Sequence, residues 1–90
     1  MSDINEILKE RGERYGRFSG HADITQRLKR IMVASPSWQH MSDSQREAME
    51  MIGHKMARIL NGDPNWVDSW ADISGFSTLV VNELEGKHES

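Results

Sequence analysis

Four carboxylates fall into two pairs at helix spacing. Glu47 and Glu50 are three residues apart and Asp68 and Asp72 four, so each pair shares one helix face. Seventeen residues separate Glu50 from Asp68. That is enough for two helices to fold back antiparallel and bring all four acids together. Carboxylate oxygens are the ligands magnesium prefers, with water and substrate phosphates completing its octahedron. Four such charges in one place repel unless a cation sits among them. The plainer reading is that Glu47 and Glu50 are solvated, and that Asp68 and Asp72 are helix-start charges or partners of Lys55 and Arg58. Lys55 and Arg58 either neutralise those acids or receive phosphate. His54, four residues after Glu50, is a candidate ligand or base, and equally a surface ion-pair partner. Nearer the N-terminus, Tyr15 can stack on a base while Arg14 or Arg17 meets phosphate. Alternatively, Tyr15 and Phe18 plug the edge of the core. There is no phosphate loop, nucleophile elbow or His-rich zinc pattern.

Four helices are predicted to position these side chains, over about residues 3–14, 22–34, 43–60 and 64–85, with a frayed tail over 87–90. Ser2 is the expected cap of the first helix, which carries the stripe Ile4, Ile7, Leu8. Three glycines between residues 10 and 20 predict an early helix end and an ordered loop. Ile24, Leu28, Ile31 and Met32 form the buried stripe of the second helix. Ser35-Pro36-Ser37 breaks it, and Trp38 in the connection caps the core or joins an oligomer interface. Ser42 and Gln45 form a capping box for the third helix. Asn61-Gly62 predicts a left-handed stop, and Asp63-Pro64 predicts a restart with proline at the first helical position. Gly53 and Gly75 mark expected close approaches of helix backbones. The fourth helix is apolar almost all round in its second half, through Phe76, Leu79, Val80, Val81 and Leu84. Such a helix is central, or is covered on one side by its own chain and on the other by a second subunit.

A chain of 90 residues makes one domain with a thin stability margin. Mean hydropathy is −0.66 and hydrophobic content 37%, low enough that self-association is the expected way to complete the core. The fold class is therefore all-α: a four-helix bundle completed by dimerisation or a higher homo-oligomer, through the third and fourth helices. With no cysteine, disulfides and thiolate metal sites are excluded. No apolar run reaches the roughly 18 residues of a membrane span, and a cytoplasmic location is expected. The net charge of −3 argues against a general nucleic-acid binder. Charge is also unevenly spread. No Lys or Arg occurs between Arg58 and Lys87 while five acids do, so those acids are solvated, bind a metal or meet the basic N-terminal half.

The run EAMEMIGHKMARILNGDPNWVDSWADISGFSTLV, residues 47–80, resembles a group of small phage and prophage proteins. In them a Lys-x-x-Arg helix precedes Asp-Ser-Trp-x-Asp-Ile-x-Gly and an aromatic residue, and an Arg-Tyr-Gly turn lies near the N-terminus. Here these are Lys55 and Arg58, Asp68 to Gly75 with Phe76, and Arg14-Tyr15-Gly16. The group looks related to the all-α, MazG-like nucleoside triphosphate pyrophosphohydrolases. Those enzymes are usually dimeric or larger, and hold magnesium with Glu-x-x-Glu on one helix and Glu-x-x-Asp on the next. Glu47-x-x-Glu50 matches the first motif; in the second, Ser69 stands where a glutamate is expected before Asp72. The resemblance implies a nucleotide ligand cleaved to the monophosphate and pyrophosphate. Glu47, Glu50, Asp68 and Asp72 would hold magnesium and position water. Lys55, Arg58 and Arg14 would offset phosphate charge, and Tyr15 would contact the base. Two other functions fit a phage protein of this size: non-catalytic inhibition of a host or defence factor, and nucleotide sequestration without turnover.

Overall fold

The structure, a computed structural model, describes residues 3–87. Among them are four α-helices, α1 (Ile4–Tyr15), α2 (Phe18–Ala34), α3 (Asp43–Asn61) and α4 (Val67–Leu84), with a single 3-10 turn at Trp38–His40. The all-α expectation holds, and the boundaries show where local chemistry differs from the pattern. Asp3 caps α1: its carboxylate accepts from the Asn5 amide at 2.9 Å. Ser2, the expected cap, lies outside the described residues, as does most of the expected frayed tail. The loop predicted between α1 and α2 shrinks to Gly16 and Arg17. Gly16 turns the chain alone, with φ 78° and ψ −168°, a region open essentially to glycine. Gly20 is therefore free to sit in the first turn of α2, which begins four residues earlier than its periodicity suggests.

The capping box forms as expected. The Ser42 hydroxyl accepts from the Gln45 amide at 3.1 Å, and the Ser42 amide donates to the Gln45 side chain at 2.8 Å. The stop of α3 is not left-handed: Gly62 has φ −130° and ψ −134°. A glycine is needed there for space, because a Cβ would strike the Arg14 carbonyl oxygen and the Tyr15 backbone. Pro64 does not open α4. Asp63 folds back to accept from the Asn65 amide at 2.9 Å, and the helix starts at Val67. It ends at Leu84, with Gly86 just beyond it at φ 75°.

The hub is α3. It packs against α4 on one side and α2 on another, while α1 makes slighter contact with α2 and α3. The buried residues of α3 are all small, namely Ala48, Gly53 and Ala57, and Ser69 is the buried residue of α4. Small residues let helix axes approach closely but bury little apolar area. A Cβ on Gly53 would lie 2.9 Å from Met32 Cε and 3.7 Å from Leu28 Cδ1, so the close approach expected there is between α2 and α3. Gly75 has open space around it and marks no such approach.

Large apolar side chains stay exposed instead. Phe18 is 81% exposed, Leu84 71% and Leu79 53%, and every residue of α1 from Ile4 to Arg14 is exposed. The radius of gyration is 15.3 Å, against about 12 Å for a compact domain of this length. The accessible surface is 6845 Å², against roughly 5,400 Å² for a compact monomer of this mass. The single chain is an open arrangement around α3 rather than a closed bundle.

Candidate functional site

The four acids predicted to converge are distributed by ion pairing and exposure. Asp72 meets Lys55 Nζ at 2.9 Å across the α3–α4 seam, where the Lys55 side chain is only 12% exposed. Glu50 faces the other way, with Oε1 3.7 Å from Lys29 Nζ on α2. Glu47 lies at the open end of the α3–α4 seam, beside Phe76, Leu79 and Glu83. Asp68 is exposed in the first turn of α4. Among the described residues no group of three or more His, Asp or Glu side chains is placed to hold a metal ion. The described residues of the single chain therefore do not gather Glu47, Glu50, Asp68 and Asp72 into one cluster: Glu50 pairs with Lys29 on α2 and Asp72 with Lys55 across the α3–α4 seam.

The residues predicted to hold substrate divide differently. Lys55 is occupied by Asp72. Arg14 lies over the Trp66 ring, 4.3 Å from its centroid. Arg58 crosses from α3 to α1 and stacks on Tyr15, with the guanidinium carbon 4.0 Å from the ring centroid. Stacking engages the face of the guanidinium and leaves its N–H edge available to a phosphate.

Tyr15 and Arg58 open into a cleft of about 530 Å³ between α1, the Gly16 turn, α2 and α3. Arg11 and Arg17 add positive charge to its walls, Leu8 and Phe18 add apolar surface, and His21 and His54 complete it. No Asp or Glu lines it among the described residues. The end of α3 holds the cleft together. Asn61 Nδ2 donates to the carbonyl oxygens of Tyr15, at 2.9 Å, and Arg17, at 2.8 Å. The Asp63 amide donates to the Arg14 carbonyl oxygen at 2.6 Å. A long-range join between residues 14–17 and 61–63 thus sets α1 against α3.

Two features escape sequence reading. His21 was absent from the candidate residues, and His54 was considered only with the acids. The structure joins them: His21 Nε2 lies 3.2 Å from His54 Nδ1, edge to face. His21 is 8% exposed and also stacks on Phe18 with ring centroids 6.2 Å apart. A signal for His21 is present, because it lies three residues before Ile24 and seven before Leu28, continuing the stripe predicted on α2 by one turn.

Burial and the nearby cations lower both imidazoles below their ordinary value. His54 is lowered from its ordinary value to about 4, first by desolvation, then by His21, Arg58, Lys55 and Lys29. His21 is lowered by desolvation, then by Arg58 and Lys55. Below about pH 6.5 the unfolded chain binds protons that the folded chain refuses. Stability should therefore fall as pH drops from about 6.5 toward about 4, by on the order of 2 kcal/mol after allowing for solvent screening. Thermal unfolding of the protein and of His54→Gln across that range measures it. The variant should show the shallower loss, and equal slopes would contradict the assignment to His54.

Comparison with protein-family models, curated proteins and solved structures finds no match to this chain.

Proposed function

We propose that this is a MazG-like, phage-type nucleotide-binding protein that holds its ligand in the arginine-lined cleft without metal-dependent turnover. One observation carries the reading. Arg11, Arg17 and Arg58 line a cleft that also presents Tyr15 and Phe18 and, among the described residues, no carboxylate. Phosphate meets the guanidinium edges, and a base finds aromatic faces within the same volume, which lies in the usual range for small-molecule sites. Sequestration fits this arrangement better than hydrolysis, because the acids that would hold magnesium are elsewhere and two of them are paired with lysines. Incubation with magnesium and each common nucleoside triphosphate should give saturable binding and no pyrophosphate release. Pyrophosphate release abolished by Asp72→Asn would overturn the non-catalytic reading.

A second reading is favoured by the exposed apolar surface: the chain self-associates. Its accessible area exceeds that of a compact monomer by on the order of 1,500 Å², whereas a standard interface takes about 800 Å² from each partner. The groove between α3 and α4, lined by Ala48, Phe76, Leu79 and Val80 together with Asp43, Glu47 and Glu83, offers an apolar face for a second copy. Sedimentation should show a concentration-dependent dimer or larger species, and Leu79→Lys should shift it toward monomer. A protein that stays monomeric at every concentration would leave this face to a different partner, such as a host protein.

A further inference from the structure

The positive walls of the cleft explain anion binding but leave the His21–His54 pair without a role. A structural pair would normally satisfy every ring nitrogen that it buries. Here His21 Nδ1 is buried with no partner, although burying an unpaired polar atom carries a cost.

The geometry restricts where protons sit. Each neutral imidazole carries one N–H, and the 3.2 Å contact needs one N–H facing one lone pair. When His21 Nε2 donates to His54 Nδ1, His21 Nδ1 is a free lone pair and His54 Nε2 carries the other proton. A third proton can then enter at His21 Nδ1 without breaking the shared hydrogen bond. A fourth cannot, because both facing nitrogens would then be donors.

The surrounding charges decide when the third proton enters. Arg11 and Tyr15 face the cleft from α1, Arg17 from the turn, and Arg58 from α3. Lys55 and Lys29 act on the pair from further off. Asp23, two residues after His21, pairs with Arg27; Glu50, one turn before His54, pairs with Lys29; and Asp72 of α4 pairs with Lys55. In the free protein Arg58 and Lys55 set a positive field on both histidines, and a further proton is disfavoured. An anion among Arg11, Arg17 and Arg58 would cancel that field.

Resting on the nucleotide reading, we infer that His21 and His54 are ligand-responsive residues of the cleft: a bound phosphate draws one proton onto the pair, so anion binding and proton uptake are coupled. This identifies the favoured ligand as an oxyanion taken without a metal ion. A cation bound with the phosphate would restore the positive field and remove the reason for the proton to enter. It also gives the unpartnered His21 nitrogen its use, as the site of the third proton.

The test needs a probe that does not itself titrate. The methyl ester of uridine 5′-monophosphate keeps one negative charge and a neutral base between about pH 5 and pH 8, the interval in which histidines respond. Its affinity is followed by the imidazole C–H resonances in the presence of a chelator. Affinity should rise as pH falls, by up to about tenfold per pH unit, the limit for one linked proton. At fixed pH the binding heat should vary with buffer ionisation enthalpy, which reports the proton directly and needs no variant. In His21→Gln/His54→Asn, checked for native helical content, the pH slope and the buffer dependence of the heat should vanish, whatever affinity remains. Binding with neither pH slope nor buffer-dependent heat overturns the inference and leaves the nucleotide reading standing. Absence of binding at every pH overturns both.

Discussion

Replacing Arg58 with glutamine lowers nucleotide affinity by about ten- to a hundredfold, the value of one lost charge-assisted phosphate contact, and leaves helical content unchanged. Arg58 lines the cleft and, by stacking on Tyr15, ties two of its walls together. Its guanidinium plane rests on Tyr15, which fixes the direction of its N–H edge before any ligand arrives. Glutamine keeps most of the stem and removes the charge and the fork. Loss of the stack itself costs only about 0.5–1 kcal/mol of stability, so the protein should remain folded and the effect should appear in binding. Arg58→Lys should fall between the two. Lysine restores the charge, but a compact ammonium cannot lie flat on a ring and present a planar edge at the same time. Calorimetric titration of a nucleoside triphosphate into the three proteins measures the series. Equal affinities would remove Arg58 from the site.

Gly16→Ala should have a different and larger consequence: release of α1 and loss of the cleft. The φ of 78° with ψ of −168° is nearly closed to alanine, and such strain costs of order 1–3 kcal/mol. Its Cβ would also collide with the Asn61 carbonyl oxygen, so the join cannot absorb the methyl by a small shift. What fails is decided by what holds α1. No residue of α1 is buried, and its attachment depends on the Asp63–Arg14 and Asn61–Tyr15 hydrogen bonds and on the Arg58–Tyr15 and Arg14–Trp66 contacts, each worth about 1 kcal/mol or less. These ties are local and shallow, so detachment of α1 relieves the strain and the collision at lower cost than unfolding α2, α3 and α4. Binding should fall more than a hundredfold, because Arg11 and Tyr15 leave with α1. Hydrogen exchange should show α1 amides losing protection while α3 amides keep theirs. Retained protection in α1 would contradict the account, as would loss across all four helices.

The sequence and the structure agree most closely where a signal is local. The capping box of Ser42 and Gln45 forms as its spacing requires, and the stop at Gly86 follows from short-range pattern; the stripe predicted on α2 is not buried as expected, because Ile31 is 64% exposed and the buried residues of that helix are His21 and Thr25. Disagreements arise where one part of the chain answers another. Gly16, Gly20 and Gly62 read as an ordered loop and a left-handed stop when only their neighbours are considered. Their common cause is the close passage of residues 61–62 past residues 14–20, 40 or more positions away in sequence. The acids show the same effect. Spacing places Glu47 with Glu50 and Asp68 with Asp72 on shared faces and offers Lys55 as a partner for Asp72, which the structure shows, but it carries no record that Lys29 would approach Glu50. Tyr15 and Arg58 were legible as separate candidates, and their stacking was not. His21 could have been read from its place on the α2 stripe; its contact with His54, 33 residues on, could not.

The central claim is that the cleft takes a nucleotide without metal. It is tested most directly by titrating a nucleoside triphosphate into the protein in excess chelator while following amide and side-chain resonances. The account predicts saturable binding, with the largest shifts at Tyr15, Arg17, His21, His54 and Arg58 and little change at Glu47 and Asp68. Absence of binding until magnesium is supplied, with shifts then centred on Glu47, Glu50, Asp68 and Asp72, would contradict it.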